Sequence, residues 1–285
     1  MCAPPTCRCA SSRNATHRLP AVTSPLEPAG FHADRDRAGS FGAVADAYDA
    51  TRPAYPAALI HWLSRDGTGH AVDVGCGTGR VARQLIEAGW NVIGIEPDER
   101  MARVARAHGV PVSSEPFEQC TLPRARYELV CAGTAWHWID PASGYEIAAA
   151  LLRPGGRMAV FRNTYQYDTE LARVFETALL RHAPDLRHDC IALGTTSHEF
   201  IEPQLQEALR RSDQFEDITC RWFTHQRQVR LEDWRRELAT YSQISLLAAP
   251  VRERLLDELV REVAAVAGSA LRIVHRTPCV EASRR

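Results

Sequence analysis

The sequence contains no lysine; all 34 of its basic residues are arginine. That absence excludes a Schiff-base mechanism, a pyridoxal phosphate anchor and a lysine-dependent phosphate loop, each of which needs a primary amine. An excess of either charge is also lacking, because 35 acidic residues offset the arginines and leave a formal charge of -1. Without a long like-charge run there is no electrostatic footprint for nucleic acid or an anionic membrane surface. No apolar run approaches the roughly 20 residues of a membrane span, and the N-terminus has no continuous apolar segment of the kind a secretory signal needs. The expectation is a soluble, cytoplasmic protein whose partner is a small molecule, with no nucleic acid and no membrane. Cysteine pairing is missing as well. Cys76, Cys120, Cys131, Cys190, Cys220 and Cys279 occur singly in apolar or structured contexts and read as buried free thiols. Cys2, Cys7 and Cys9 cluster without a fourth ligand, so no metal site is expected.

What is present is enough for one large domain with a sizeable core: 285 residues, 45% of them hydrophobic. Residues 1–35 hold five prolines, many small polar residues and no periodicity, and read as a disordered tail. Residues 36–64 carry helical spacing interrupted by Arg52-Pro53 and Tyr55-Pro56, which predicts short lid helices joined by a stiff turn. Over 65–163, apolar runs alternate with helical patterns: Ala71 to Gly75, Asn91 to Ile95, Val110 to Ser113, Tyr127 to Ala132 and Arg157 to Phe161 read as five strands. Such strand-helix repeats predict an α/β, Rossmann-like, mostly parallel sheet with helices on both faces. A helical insertion over 164–213 is expected to cap the acceptor side. The remainder of the core follows over 214–276, with strands at Phe215 to Phe223 and Leu271 to Val274 bringing the sheet to seven, and 277–285 reads as a C-terminal tail.

The chain is organised around Ala71-Val-Asp-Val-Gly-Cys-Gly-Thr-Gly79, a strand that ends in a G-x-G-x-G turn and opens into a helix. Glycines there let backbone N–H groups approach a ligand closely. Glu96 falls at the end of the second strand, where a carboxylate can accept hydrogen bonds from both hydroxyls of a ribose. Those two features leave a nicotinamide enzyme open, although its glycine turn ordinarily reads G-x-G-x-x-G.

Val72 to Arg80, Gly94-Ile-Glu-Pro-Asp98 with Met101, Phe117-Glu118, Tyr127-Glu-Leu-Val130 and Leu152-Arg-Pro-Gly-Gly156 together resemble, in order and spacing, the class I S-adenosylmethionine-dependent methyltransferases. The resemblance is closer to a bacterial small-molecule subgroup with an F-x-x-x-A-x-x-Y-x-x-x-R-P-x-Y-P segment, here Phe41 to Pro56, an A-W-H-W block at Ala135 to Trp138, and a G-T-T-S block at Gly194 to Ser197. It covers roughly residues 39–276 and is strong for the cofactor half. Tyr127-Glu128 departs conservatively from the commoner Phe-Asp.

The resemblance implies S-adenosylmethionine as cofactor and S-adenosylhomocysteine as product. Asp73 with Gly75, Gly77 and Gly79 would hold the methionine portion, Glu96 and Pro97 would flank the ribose, and Met101, Phe117 and Glu118 would surround the adenine. Arg52 would pair with the cofactor's carboxylate, Tyr48 would cover the sulfonium side, and Thr134 would complete the set. Packing alternatives stay open: Asp73 as a residue that orients the turn, Tyr48 and Met101 as ordinary core contacts, Arg52 as a solvated charge. His137 is the candidate general base, needed only when the acceptor must lose a proton. Trp136, Trp138, Tyr165, Tyr167, His188 and Trp222 are candidate acceptor-binding residues, with His182, Asp189, His198 and Tyr241 as further ones. The expected activity is methyl transfer to a small, partly apolar acceptor in specialised, natural-product metabolism. C-methylation of an alkene without a base, a non-catalytic cofactor-binding regulator and a nicotinamide oxidoreductase are the alternatives. A lid segment of this kind also offers a route to a homo-oligomer by exchange between protomers.

Overall fold

The computed structural model describes residues 32–186, 190, 193, 194 and 201–285. An eight-stranded sheet carries the fold, in the order β3-β2-β1-β4-β5-β8-β6 with β7 paired to β8. Its strands are β1 (His70–Val74), β2 (Asn91–Ile95), β3 (Val112–Ser113), β4 (Tyr127–Gly133), β5 (Leu152–Phe161), β6 (Thr164–Gln166), β7 (Phe215–Arg230) and β8 (Ala270–Arg284). The first five pair in parallel and β8 runs antiparallel to β5, β6 and β7. The strand beyond the expected seven is β6, a three-residue piece that opens the segment predicted to be wholly helical. The parallel strands are largely apolar, as burial on both faces requires. In β1, for example, Ala71 packs on one layer and Val72 and Val74 on the other.

One face is covered by α3 (Ala57–Leu63) and α4 (Arg80–Glu87), which send Leu59, Leu63, Val81 and Leu85 onto Leu129 and Phe161. Thus α3, predicted as part of a lid, is a core helix. Its C-terminus is fixed by Arg157 of β5, whose guanidinium donates to the Leu63 carbonyl (2.6 Å) and to Glu281 of β8 (3.0 Å). The other face is covered by α6 (Gly144–Leu151) and α8 (Ile201–Arg211), through Tyr145, Ala148 and Leu209.

The expected lid is therefore shorter: α1 (Arg35–Gly39), a 3-10 turn at Ser40–Val44 and α2 (Ala45–Thr51). Asp49 of α2 ties it to the core by accepting from Arg83 (2.7 Å) and pairing with His108 (2.8 Å), the residue after α5 (Glu99–Ala107). The tail expected over 1–35 falls outside the described residues except for 32–35, where Arg35 already begins α1.

Two further expectations change. The segment 164–213 is not one cap, because α7 (Thr169–His182) joins α9 (Leu231–Leu238), α10 (Ser242–Ser245) and α11 (Ala249–Ala267) in a separate helical layer over the far halves of β7 and β8, whereas α8 returns to the sheet. Residues 277–285 are no tail: they are the half of β8 that pairs with β5, and Cys279, Val280 and Ala282 are buried. Among the described residues no helix is long and apolar enough to cross a membrane.

Candidate functional site

A cleft of about 2890 Å³ opens along the carboxyl ends of the parallel strands, the edge at which open α/β sheets bind ligands. Single-ligand pockets usually enclose about 300–1,000 Å³, so there is room for two molecules side by side. The glycine turn forms one wall. Gly75, Gly77 and Gly79 all have positive φ (63°, 57° and 80°), a conformation that glycine adopts without steric cost. Gly75 and Gly77 line the cleft, but Gly79 caps α4 behind them, close to Ala105 and Val110.

Glu96, just past β2, is held from two sides. Its Oε2 accepts from the Gly77 N–H and its Oε1 from the Asp98 N–H, each at 2.9 Å. The side chain is thus fixed at the cleft wall with lone pairs left for a ligand, and partial burial raises its pKa to about 6. Asp73 is fully buried beneath the turn, where Oδ2 accepts from the Ala82 N–H in the first turn of α4 (3.1 Å). Burial raises it to about 8, so at neutral pH it is mostly a neutral acid that orients the turn. Both readings of Asp73 therefore converge on one position: it borders the cleft while bracing the loop.

The remaining predicted cofactor residues Tyr48, Pro97, Met101, Phe117, Glu118 and Thr134 also line the cleft. Glu118 accepts from the Asp140 N–H (2.9 Å). Thr134 takes φ +57°, which is rare for a β-branched residue. It is held there by its N–H on the Phe161 carbonyl (2.7 Å) and its hydroxyl on the Tyr55 hydroxyl (2.8 Å).

Arg52 also lines the cleft and has partners within the protein. Its Nε donates to the Thr240 hydroxyl (2.8 Å) and its Nη2 to the Thr240 carbonyl (3.0 Å), while the guanidinium lies over the rings of Tyr241 (3.4 Å) and Tyr48 (4.7 Å). Those contacts latch the lid to the loop between α9 and α10. Because a planar fork sandwiched between rings is what does the latching, Arg52→Lys is expected to loosen the lid nearly as much as Arg52→Ala. The loss is about 1–2 kcal/mol, measurable as faster proteolysis within residues 35–51.

The 3-10 turn Trp136–Trp138 after β4 supplies the opposite wall. Trp136 packs edge-on against Phe117 (5.9 Å) and tilts on Tyr145 (5.3 Å), and Trp138 meets Phe41 of the lid (6.1 Å). His137 points into the cleft between them, where the sequence reading put it. His137 is exposed at the cleft surface, and desolvation by the surrounding walls, followed by the charges of Arg162 and Arg37, lowers its imidazole pKa. A lowered pKa weakens a proton acceptor, and a neutral imidazole can still hydrogen-bond a ligand.

Of the predicted acceptor residues, Trp136, Trp138, Tyr165 and Tyr241 line the cleft. The Tyr165 hydroxyl is engaged by Tyr241 and by Glu237 (3.4 Å). Tyr167 does not reach the cleft, its ring lying edge-on against Phe175 (4.8 Å). Trp222 is a surface residue, 42% exposed, with Arg276 over its ring (4.6 Å). His188, Asp189 and His198 lie outside the described residues, and His182 pairs with Glu258 of α11 (2.7 Å), away from the cleft. Arg162, Glu202, Thr240 and Tyr145 are cleft or latch residues that the sequence reading passed over. Only the position of Arg162 at the carboxyl end of a strand carried a signal for any of them.

Glu96, a fixed carboxylate beside the glycine turn, suits the ribose of a nucleoside cofactor, and the G-x-G-x-G spacing departs from the G-x-G-x-x-G of a dinucleotide turn. The comparisons with known proteins agree. Residues 72–160 match the methyltransferase domain family. An uncharacterized methyltransferase of Mycobacterium tuberculosis is 36% identical over 133 residues, 46% of this chain and 54% of that one. A ubiquinone biosynthesis O-methyltransferase of Hydrogenovibrio crunogenus is 30% identical over 151 residues, 49% and 59% of the respective chains. The chain thus spans little more than half the length of the curated relatives it matches. Among solved structures, a protein of Anaeromyxobacter dehalogenans assigned as a type II methyltransferase shares the fold at a TM-score of 0.63 with 23% identity, covering 81% of this chain and 97% of that one. A phosphoethanolamine N-methyltransferase of Haemonchus contortus, solved with S-adenosylhomocysteine, shares it at 0.51 with 17% identity, covering 91% and 60%. Residues 72–160 thus match a methyltransferase domain, carried on a fold shared with solved methyltransferases.

Proposed function

We propose that the protein transfers a methyl group from S-adenosylmethionine to a small, partly apolar acceptor, in the manner of enzymes of specialised metabolism. The observation that carries this reading is Glu96, held by the Gly77 and Asp98 amides on one side of a cleft whose other side is the Trp136–Trp138 turn. The cofactor, when bound, supplies a methyl group already activated on a sulfonium, so the protein's own task is alignment. Glu96 and the glycine turn would fix the nucleoside and amino-acid ends. Phe41, Trp136 and Trp138 would hold the acceptor's apolar body and keep water out. His137, uncharged at neutral pH, would accept a hydrogen bond from the acceptor without removing its proton outright.

The test has two stages. S-Adenosylhomocysteine should raise the melting temperature and saturating NAD should leave it unchanged; the reverse would move the protein to the nicotinamide oxidoreductases. Formation of S-adenosylhomocysteine from S-adenosylmethionine is then followed across small phenols, amines, carboxylic acids and alkenes. Turnover with none of them, despite tight cofactor binding, would favour a cofactor-binding regulator. With an acceptor in hand, His137→Ala is expected to lower kcat less than about tenfold, short of the 100-fold or more that loss of a true general base causes. A larger drop accompanied by loss of a pH limb would restore the base role.

A further inference from the structure

The cleft contains a buried ion pair outside the set that would hold the cofactor. Arg162, immediately after β5, donates through Nε (3.1 Å) and Nη2 (2.7 Å) to one oxygen, Oε1, of Glu202 in the first turn of α8. The side chains are 14% and 8% exposed. The second carboxylate oxygen, Oε2, is buried and has no hydrogen-bond partner among the described residues. An arginine-carboxylate pair that served stability alone would spread its parallel N–H groups over both oxygens. Here both fall on Oε1, and a buried charged acceptor left unmatched bears its full desolvation penalty.

Position connects this oxygen to the acceptor. Glu202 lines the same cleft as the Trp136–Trp138 turn, and Arg162 is near enough to His137 to depress its imidazole. The cleft that the pair lines mixes apolar residues, among them Val160 of β5, Val280 of β8 and Leu205 and Ala208 of α8, with polar ones such as Asn163 and Gln204. A cleft with apolar walls and a buried polar group lacking a partner suits a molecule that has an apolar body and a matching polar substituent.

We propose that Glu202 Oε2 receives a hydrogen-bond donor of the methyl acceptor, so that the acceptor is an apolar or aromatic molecule bearing a hydroxyl or amino group. This rests on the reading given under Proposed function. Arg162 is the positioning residue: it holds the carboxylate in place through Oε1. A substrate without a donor would leave Oε2 unsatisfied in the complex, which is the mechanism by which sites discriminate strongly between a hydroxyl and its apolar replacement.

The test uses the full chain saturated with S-adenosylhomocysteine and two probes of one shape, 2-naphthol and 2-methylnaphthalene, titrated by saturation-transfer NMR. Expected is a preference for 2-naphthol of at least about tenfold, falling below about threefold in the double variant Glu202→Leu/Arg162→Met, which removes the pair without stranding a charge. S-Adenosylhomocysteine binding should survive in that variant and reports that it has folded; the wild-type comparison stands without it. Equal affinities, no binding of 2-naphthol, or an unchanged preference in the folded double variant would overturn the proposal. Failure of the wild-type protein to bind S-adenosylhomocysteine would instead overturn the cofactor reading beneath it, so the two failures are separable.

Discussion

Glu96→Ala is expected to weaken S-adenosylhomocysteine binding by at least about 100-fold, read by calorimetric titration at pH 7.5. Two hydrogen bonds from ribose hydroxyls to a carboxylate contribute about 1.5–3 kcal/mol each, and about 3 kcal/mol in total already corresponds to a factor above 100. The substitution also removes the acceptor for the Gly77 and Asp98 amides, so the glycine turn loses a tie to β2 just where it must be rigid. Glu96→Gln keeps the shape and one carbonyl acceptor, and should fall between wild type and alanine. An effect of Glu96→Ala smaller than about threefold would place the ribose elsewhere.

The second large effect is expected at Gly75. A Cβ there would sit 2.6 Å from the Ala135 Cβ, and its φ of +63° disfavours any side chain. Strain and overpacking together should make Gly75→Ala less stable by about 2–4 kcal/mol in urea unfolding. The clash lies between the glycine turn and the residue that introduces the Trp136–Trp138 turn, so cofactor binding and the acceptor wall should be disturbed together. Gly155→Ala is the control. With φ +71° and nothing within 4 Å of its Cβ position, it carries the backbone strain alone and should lose about 1 kcal/mol. Equal losses at the two positions would show that close approach at Gly75 is not what matters.

How much of this was legible in the sequence follows the range of the interactions concerned. The cofactor side could be read because its determinants are local: a strand, a turn of fixed glycine spacing and an acid at the end of the next strand lie within about thirty positions. Parallel sheet topology followed from alternating strand and helix patterns of the right length. The misses are long-range. Arg52 finds Thr240 and Tyr241, 188 and 189 positions on, and no local pattern announces that partnership. His137 follows β4 at the cleft, but its basicity is lowered by desolvation and then by Arg162 and Arg37, which arrive from the end of β5 and from the lid. Trp222 looked like a pocket aromatic by residue type, yet β7 extends to Arg230 and carries it to the surface. The tail expected at 277–285 was misread because Cys279 to Ala282 offered only a short apolar run; pairing with β5 and β7 makes it a central strand.

The central claim, that Glu96 reads the ribose of S-adenosylmethionine as a carboxylate, is tested most directly by titrating S-adenosylhomocysteine into the wild-type protein calorimetrically between pH 8 and pH 5. Glu96 titrates near 6 in the ligand-free cleft, while Asp73 beneath it holds its proton up to about 8. A ligand that prefers ionised Glu96 must lose affinity as pH falls through about 6, by up to about tenfold per pH unit below it. One-to-one binding at pH 7.5 that weakens in this way, and that becomes flat with pH in Glu96→Gln, is the result expected; a wild-type affinity indifferent to pH across that range, or no binding at all, would contradict it.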